Sequence, residues 1–209
     1  MKNKKAVLIM GAFNPITNAH LALGTACAAS IKDADIYYIP SNSDYIKDWK
    51  GLMDNMIPDS DRIQLTAQAV SSSGFRVNDI EIKKIVNGRT YNTVSYFKNE
   101  LGYESIYICC GYDKLDELHL WYRADELIAQ NYFLIVQRDG KTINDCLDPF
   151  VLQYRDRFLA LDSKKEYQNI SSTKVREAYQ NNRLESIKQD VPAVVYEYLC
   201  QKESTLWEK

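Results

Sequence analysis

The alternation of short apolar runs with helical segments restricts the fold of this chain more than any other feature. The apolar runs are short, as is typical of buried strands, and the segments between them have helical character. The predicted strands cover residues 6–10, 34–39, 75–85, 105–110, 132–137 and 159–162. The predicted helices cover residues 18–30, 59–71, 91–101, 115–129, 171–181 and 191–201. Strands and helices in this order form βαβ units, so we predict an α/β fold with a Rossmann-like, doubly wound parallel sheet and helices on both faces.

The size of the chain suits one domain over residues 1–209. Residues 41–58 are polar and aromatic without a clear period, and this stretch is too long for a simple connection, so we expect a functional loop there. The apolar run at 6–10 is too short for a signal peptide, and no run reaches the length of a membrane span. We therefore expect a cytoplasmic protein with no membrane partner.

The charge and the cysteines exclude several classes of function. The formal net charge is -2 and the sequence pI is about 5.8, whereas general nucleic-acid binding needs a basic face. The five cysteines form no CxxC pair, which argues against a disulfide framework or a zinc site. Cys109 and Cys110 are adjacent and are interpreted as small buried residues. We predict no metal site formed by the protein itself.

The first candidate site is the turn after the first strand. Ligands of a parallel sheet bind at the carboxyl ends of its strands. Gly11 would let a phosphate approach the backbone, and Pro15 would stiffen the turn. Thr17 and His20 share a face at the helix start, where free N–H groups and the helix dipole attract an anion. The alternative is that Thr17 only caps the helix and His20 lies on the surface.

The second candidate site begins another helix, at residues 170–176. Ser171, Ser172 and Thr173 could cap the helix, or their hydroxyl and N–H groups could hold a polyphosphate. Arg176 would add a permanent positive charge one turn further on.

These two strings resemble the signatures of the nucleotidyltransferase superfamily. Residues 11–20 resemble Gly-x-Phe-Asp/Asn-Pro-x-His/Thr-x-Gly-His, with Ala19 in place of the usual Gly, and residues 170–176 resemble ISSTxxR. Two signatures in the expected order are more specific than either alone. The resemblance implies catalytic roles for His20, Thr17 and Arg176. The ATP-binding residues that it implies are Gly11, Ala12, Phe13, Thr17, His20, Gly111, Asp113, Ile170, Ser171, Ser172, Thr173 and Arg176.

A third stretch narrows the resemblance to one family. Gly111-Tyr112-Asp113, followed by Trp121-Tyr122-Arg123, resembles the G-x-D…W-x-R segment of the nicotinate or nicotinamide mononucleotide adenylyltransferases. There the Asp holds the adenosine ribose and the Trp stacks on the pyridine ring. Trp121 alone could equally be a core residue, Lys47 a solvated lysine and Tyr91 a packing residue. The implied mononucleotide-binding residues are Phe13, Asn14, Lys47, Thr90, Tyr91, Trp121 and Arg138. Arg62 also resembles a family position.

The reaction implied by the resemblance converts ATP and a mononucleotide into a dinucleotide and pyrophosphate. The nucleophile is a phosphate oxygen whose second pKa is about 6, so no general base is required. Mg²⁺ is expected as a cofactor carried by the ATP phosphates, because this ion needs few protein ligands.

The sequence leaves two alternative functions open, and it decides neither the acceptor base nor the oligomeric state. A sister transferase would use another phosphate acceptor, such as pantetheine phosphate or glycerol phosphate, and a nucleotide sensor would keep the fold without turnover. Resemblance to compact bacterial members favours nicotinate as the acceptor base, but Asn14 and Thr17 resemble members that accept the amide. The expected partners are ATP and a pyridine mononucleotide, and whether the chain forms a homo-oligomer is not determined.

Overall fold

The computed structural model describes residues 3–50, 56–137, 140–162, 165–167 and 169–202. Its centre is a six-stranded sheet with the order β3-β2-β1-β4-β5-β6, in which every pair of neighbours is parallel. The strands are β1 (Lys5–Gly11), β2 (Ala34–Pro40), β3 (Arg76–Val77), β4 (Ser105–Gly111), β5 (Tyr132–Val136) and β6 (Phe158–Leu161). The chain winds from β1 to one edge and then returns to start β4 on the other side of β1. The strand order therefore reverses between β1 and β4, which is where open α/β sheets bind ligands.

Helices cover both faces of this sheet. They are α1 (Asn18–Ser30), α2 (Ser43–Lys50), α3 (Asp59–Val70), α4 (Thr90–Asn99), α5 (Ala124–Ala129), α6 (Pro149–Gln153), α7 (Ser172–Gln180) and α8 (Ala193–Gln201). Val7 and Ile9 of β1 pack in the core that holds α1, α3, α7 and α8, and Leu8 packs in the core that holds α4, α5 and α6. Because successive residues of a strand face opposite sides, a strand buried on both faces is apolar throughout. The predicted doubly wound α/β fold is confirmed.

The predicted strand at 75–85 is wrong beyond its first residues. Only Arg76–Val77 pairs with β2, and the backbone N–H of Asn78 makes a last hydrogen bond to the Tyr38 carbonyl at 2.9 Å. The Asn78 Oδ1 then accepts from the N–H of Ile80 at 3.1 Å, a local bond that turns the chain out of the sheet. Ile80 and Glu81, which lie in the segment predicted to be a strand, are both buried in the interior.

The predicted helix at 115–129 is divided. A 3₁₀ helix covers Tyr112–Leu120, α5 begins at Ala124, and Arg123 between them has a left-handed φ of 53°. A left-handed residue cannot continue a helix, so the chain turns there. The stretch predicted as an irregular loop contains α2, where the Asn42 Oδ1 accepts from the N–H of Tyr45 at 2.7 Å. Among the described residues, no helix is long and apolar enough to cross a membrane.

Candidate active site

A cavity of about 1080 Å³ lies at the carboxyl ends of β1, β4 and β5. It brings together three stretches that are far apart in sequence. The predicted site residues that line it are Gly11, Ala12, Phe13, His20, Thr90, Tyr91, Gly111, Asp113, Trp121, Ile170, Ser171 and Ser172. We call Gly11–His20 with Ser171 and Ser172 the phosphate wall, and Arg89–Tyr91 with Trp121–Arg123 the ring wall.

His20 lies on the phosphate wall with one ring nitrogen already engaged. Its Nδ1 accepts from the backbone N–H of Thr17 at 3.1 Å and lies 2.8 Å from the Thr17 hydroxyl. A neutral imidazole that accepts at Nδ1 carries its proton on Nε2. Burial lowers the pKa of His20 to about 4, so the ring is neutral at physiological pH. The edge-on ring of Phe13, with centroids 5.1 Å apart, supports it from the side. The residue is thus prepared to donate from Nε2.

Thr17 is fully buried, and it is outside the set of residues that line the cavity. Its N–H and hydroxyl contact His20, so it orients the imidazole, and as the N-cap of α1 its carbonyl accepts from the N–H of Leu21 at 3.2 Å. Direct contact between Thr17 and a phosphate stays a prediction.

Helix α7 is fastened to the turn that precedes α1. Ser171 caps α7, since its hydroxyl accepts from the N–H of Lys174 at 3.3 Å. The Ser172 hydroxyl donates to the Pro15 carbonyl at 2.8 Å. These bonds direct the start of α7, with its free N–H groups, towards the same cavity as His20.

Arg176 does not line the cavity in this structure. It donates from Nη1 to the Asn14 carbonyl at 2.9 Å and from Nη2 to the Thr173 hydroxyl at 3.2 Å, and Thr173 also lies outside the lining. Both residues support the phosphate wall from behind, and their contact with ATP stays a prediction.

Two buried polar residues hold the loops behind the phosphate wall. Asn14 is 1% exposed, and its Oδ1 accepts from the N–H of Ile57 at 2.9 Å. Arg62 is completely buried. Its guanidinium donates to the carbonyls of Ala12, Ser41 and Ile57 and to the carboxylate of Asp59. Sequence resemblance pointed to both residues, and the structure gives them supporting contacts.

Asp113 follows the end of β4, and the position of its carboxylate depends on the absence of a side chain at Gly111. A Cβ atom at Gly111 would collide with the Asp113 Oδ1, so only glycine lets the carboxylate fold back over the strand end. The Lys114 ammonium lies 3.6 Å from this carboxylate and 3.0 Å from that of Glu117. The described residues contain no group of three or more His, Cys, Asp or Glu side chains that could hold a metal ion.

The ring wall is assembled from stacked side chains. The guanidinium of Arg89 lies 4.5 Å from the centre of the Tyr122 ring, and that of Arg123 lies 4.4 Å from the Tyr91 ring. The two tyrosine rings meet edge-to-face at 5.9 Å. These contacts join the start of α4 to the break before α5. Trp121, between them and the sheet, is half-buried and tilts against Phe133 with centroids 6.5 Å apart.

Sequence reasoning missed Glu81, which also lines the cavity. It is 1% exposed, its Oε1 accepts from the Thr93 hydroxyl at 2.8 Å, and its Oε2 has no hydrogen-bond partner in the described part of the chain. Burial raises the pKa of Glu81 to about 7 despite the bond from Thr93. An acid between Ile80 and Ile82 was the available signal, but it fell within the strand predicted at 75–85 and was not singled out.

Three residues predicted to bind the mononucleotide are not among the lining residues. Asn14 is buried and Lys47 is exposed on α2, and neither lines the cavity, whereas Arg138 lies outside the described residues. Cys109 is buried and Cys110 half-buried, both at the cavity.

Comparisons with known proteins agree with this geometry. The model of the cytidylyltransferase-like family matches residues 8–178. A "probable nicotinate-nucleotide adenylyltransferase" of Dehalococcoides mccartyi is 31% identical over 211 residues, covering 99% of this chain and 98% of the relative. One of the same name from Clostridium acetobutylicum is 27% identical over 200 residues, covering 94% and 96%.

Solved structures show the same fold. The nicotinic acid mononucleotide adenylyltransferase of Plasmodium falciparum, complexed with APC or with NaAD, superposes with a TM-score of 0.73 at 17% identity and 95% coverage of both chains. At that identity the likeness concerns the fold, and the sequence relatives carry the family assignment. The family model matches most of the chain, and the Dehalococcoides relative aligns over nearly the full length of both proteins. We conclude that this chain belongs to the nicotinate-nucleotide adenylyltransferase family of cytidylyltransferase-like proteins.

Proposed function

We propose that this protein transfers AMP from ATP to the phosphate of nicotinate mononucleotide, releasing pyrophosphate, as a step of NAD biosynthesis. The observation that carries the proposal is the neutral His20, held through Nδ1 on the wall that the start of α7 also faces. The names of the sequence relatives support the choice of acceptor.

The chemistry requires two anions to meet in line. An oxygen of the acceptor phosphate forms a bond to the α-phosphorus of ATP, and the bond from that phosphorus to the bridging oxygen breaks. Pyrophosphate leaves with the electron pair. The attacking oxygen is already ionised near neutral pH, so the protein has to position the reactants and stabilise charge.

The phosphate wall is suited to that task. His20 is neutral in this structure, where burial lowers its pKa to about 4, and it can donate from Nε2 to a phosphate oxygen. The backbone at Gly11 and the N–H groups at the start of α7 supply further donors. We expect Thr17 to contribute by orienting His20. We expect Arg176 to hold the turn at Asn14, and its predicted contact with ATP would require its guanidinium to move into the cavity.

We propose that Mg²⁺ enters with ATP. The ion takes few protein ligands, keeps several waters and would offset the charge of the polyphosphate. Among the carboxylates that line the cavity, Asp113, Glu117 and Asp162 could hold its waters.

Trp121 is proposed to stack on the pyridine ring and Asp113 to accept from the adenosine ribose, as the family resemblance implies. Lys47 and Arg138 stay predicted binding residues. We further propose that the 209 residues act as one domain in the cytoplasm on nucleotide substrates, without a nucleic-acid or membrane partner.

Pyrophosphate release from Mg-ATP tests the proposal. Nicotinate mononucleotide, nicotinamide mononucleotide, pantetheine phosphate and glycerol phosphate would be supplied in parallel. Turnover that is fastest with nicotinate mononucleotide is expected. Turnover with a non-pyridine acceptor alone would indicate a sister transferase, and ATP binding without any release would indicate a sensor.

A further inference from the structure

We propose that Arg89 receives the ring carboxylate of the acceptor and so sets the preference for an acid over an amide. This inference rests on the proposed function, since it concerns the selectivity of that same site. It begins from a difference between two arginines of the ring wall, Arg89 and Arg123.

The two arginines make the same kind of stack but differ in their charge partners. Arg123 donates from Nε and Nη2 to both carboxylate oxygens of Glu126, so its charge is compensated. Arg89 forms no ion pair with any described carboxylate; its guanidinium stacks on the face of Tyr122 and lies close enough to Tyr45 to interact with it electrostatically. Arg89 lines the cavity, whereas Arg123 does not. The ring wall therefore presents one uncompensated guanidinium to the ligand space.

The surroundings of Arg89 favour a carboxylate as its partner. A guanidinium that stacks through one face keeps its N–H edge available, and its planar fork matches a carboxylate with two parallel hydrogen bonds. Arg89 also precedes α4, and the N–H groups of Thr90 and Tyr91 have no acceptor within the described chain. An anion at this point would meet both the arginine and the helix start.

Glu81, the nearest buried acid of the cavity lining in sequence, forms no ion pair with Arg89 among the described residues. Glu81 is the buried carboxyl of this part of the cavity, and its Oε1 accepts from Thr93. Burial raises the pKa of Glu81 to about 7, so at neutral pH it is about half protonated and repels an incoming anion only partly.

The acceptor carries two anionic groups, and its position favours the ring carboxylate. The acceptor phosphate has to reach the α-phosphate of ATP beside His20 on the phosphate wall. Arg89 belongs to the ring wall and stacks on Tyr122, the residue that follows Trp121. A pyridine ring stacked on Trp121 would therefore lie beside Tyr122 and the guanidinium that stacks on it.

The test compares Arg89→Ala with Arg123→Ala, which removes the same type of stack without changing the cavity lining. The values of kcat/KM are measured with nicotinate and with nicotinamide mononucleotide at saturating Mg-ATP. Loss of a charged, bidentate contact predicts that Arg89→Ala lowers kcat/KM for the acid roughly 10- to 30-fold and for the amide less than about threefold. Arg123→Ala should leave the acid-to-amide ratio within about twofold, and Arg89→Lys should recover part of the ratio.

An equal loss of kcat/KM with both acceptors would show that Arg89 contacts the acceptor phosphate or only supports the ring wall. That result would overturn the inference. An unchanged ratio in Arg89→Ala would do the same. If the amide turns over too slowly, its inhibition constant against the acid replaces kcat/KM. A wild-type protein that is silent with both acceptors would instead contradict the proposed function, which separates the two failures.

Discussion

The two walls of the cavity are built by different kinds of contact. Side chains from distant parts of the chain hold the phosphate wall through hydrogen bonds to backbone carbonyls, as Ser172 does at Pro15, Arg176 at Asn14 and Arg62 at Ala12. Exposed arginine–tyrosine stacks hold the ring wall, where Tyr122 is 45% exposed.

This difference has an energetic consequence. Breaking a buried, charged hydrogen-bond network costs several kcal/mol, whereas an exposed cation–π stack contributes about 0.5–1 kcal/mol. The phosphate wall can therefore stay preorganised for charge stabilisation, and the ring wall can adjust around the acceptor.

Arg62→Met should cause the greatest loss of stability. The change keeps an apolar stem but leaves the carbonyls of Ala12 and Ser41 without this donor. It also removes the cation beside Asp59, which then keeps only its hydrogen bonds from Ser43 within the described part of the chain. We expect the free energy of unfolding to fall by roughly 3–5 kcal/mol in chemical denaturation. Arg183→Met, at an exposed arginine, is the control and should stay within about 0.5 kcal/mol of wild type. Equal losses of unfolding free energy in the two variants would contradict the idea that the buried Arg62 guanidinium stabilises the loops behind the phosphate wall.

His20→Ala should lower kcat by roughly 100- to 1000-fold, as loss of one preorganised transition-state donor does elsewhere. The KM for ATP should change much less, because the start of α7 is proposed to hold the polyphosphate independently of His20. Thr17→Val keeps the backbone N–H at Nδ1 but removes the hydroxyl, so a smaller loss of kcat is expected. Initial rates of pyrophosphate release measure both. An unchanged kcat in His20→Ala would remove His20 from the mechanism.

Glu81→Gln should change how stability depends on pH. The pKa of Glu81 is about 7 in the folded protein, against 4.5 for an ordinary glutamate, so between these values the folded state binds more protons. Stability then falls as pH rises from about 4.5 to 7, and the cost is complete above that range, at roughly 3 kcal/mol. The variant lacks this cost. Its unfolding free energy relative to wild type should therefore increase with pH.

Urea titrations at several pH values from 4.5 to 8 measure that difference. His20 has the opposite effect. Because its pKa is about 4 in the folded protein, against 6.5 for an ordinary histidine, the stability of the protein rises between these two pH values. This effect is present in both proteins and cancels in the difference. Parallel curves for Glu81→Gln and wild type would mean that Glu81 stays ionised in the folded state.

Tyr122→Ala should have the smallest effect on stability. It removes the surface under Arg89 and the edge contact with Tyr91, and the unfolding free energy should fall by less than about 1 kcal/mol. The KM for the mononucleotide should rise severalfold while that for ATP is unchanged, since only the ring wall loosens. Tyr196→Ala loses a similar stack with Lys188 away from the cavity and serves as the control. A change in the KM for ATP would break the proposed separation of the two walls.

Much of the phosphate wall could be predicted from sequence because it is local. Gly11, His20, Ser171 and Ser172 lie at a strand end or a helix start, so short strings of sequence specify their geometry, and all of them line the cavity. The ring wall was only partly predictable. Thr90, Tyr91 and Trp121 were identified, but Arg89 was not, because its meeting with Tyr122 depends on how α4 packs beside the turn at 121–123.

The sequence by itself determined the parallel sheet, its helices on both faces and the strand ends where nucleotides would bind, because hydrophobic periodicity and turn residues act over short distances. Only the tertiary structure decided that residues 78–85 leave the sheet and that the helix at 115–129 breaks at Arg123. It also decided that Asn14 and Arg62 face inwards and that Glu81 is buried as an acid. Those outcomes depend on long-range hydrogen bonds and desolvation, whose partners no local pattern reveals.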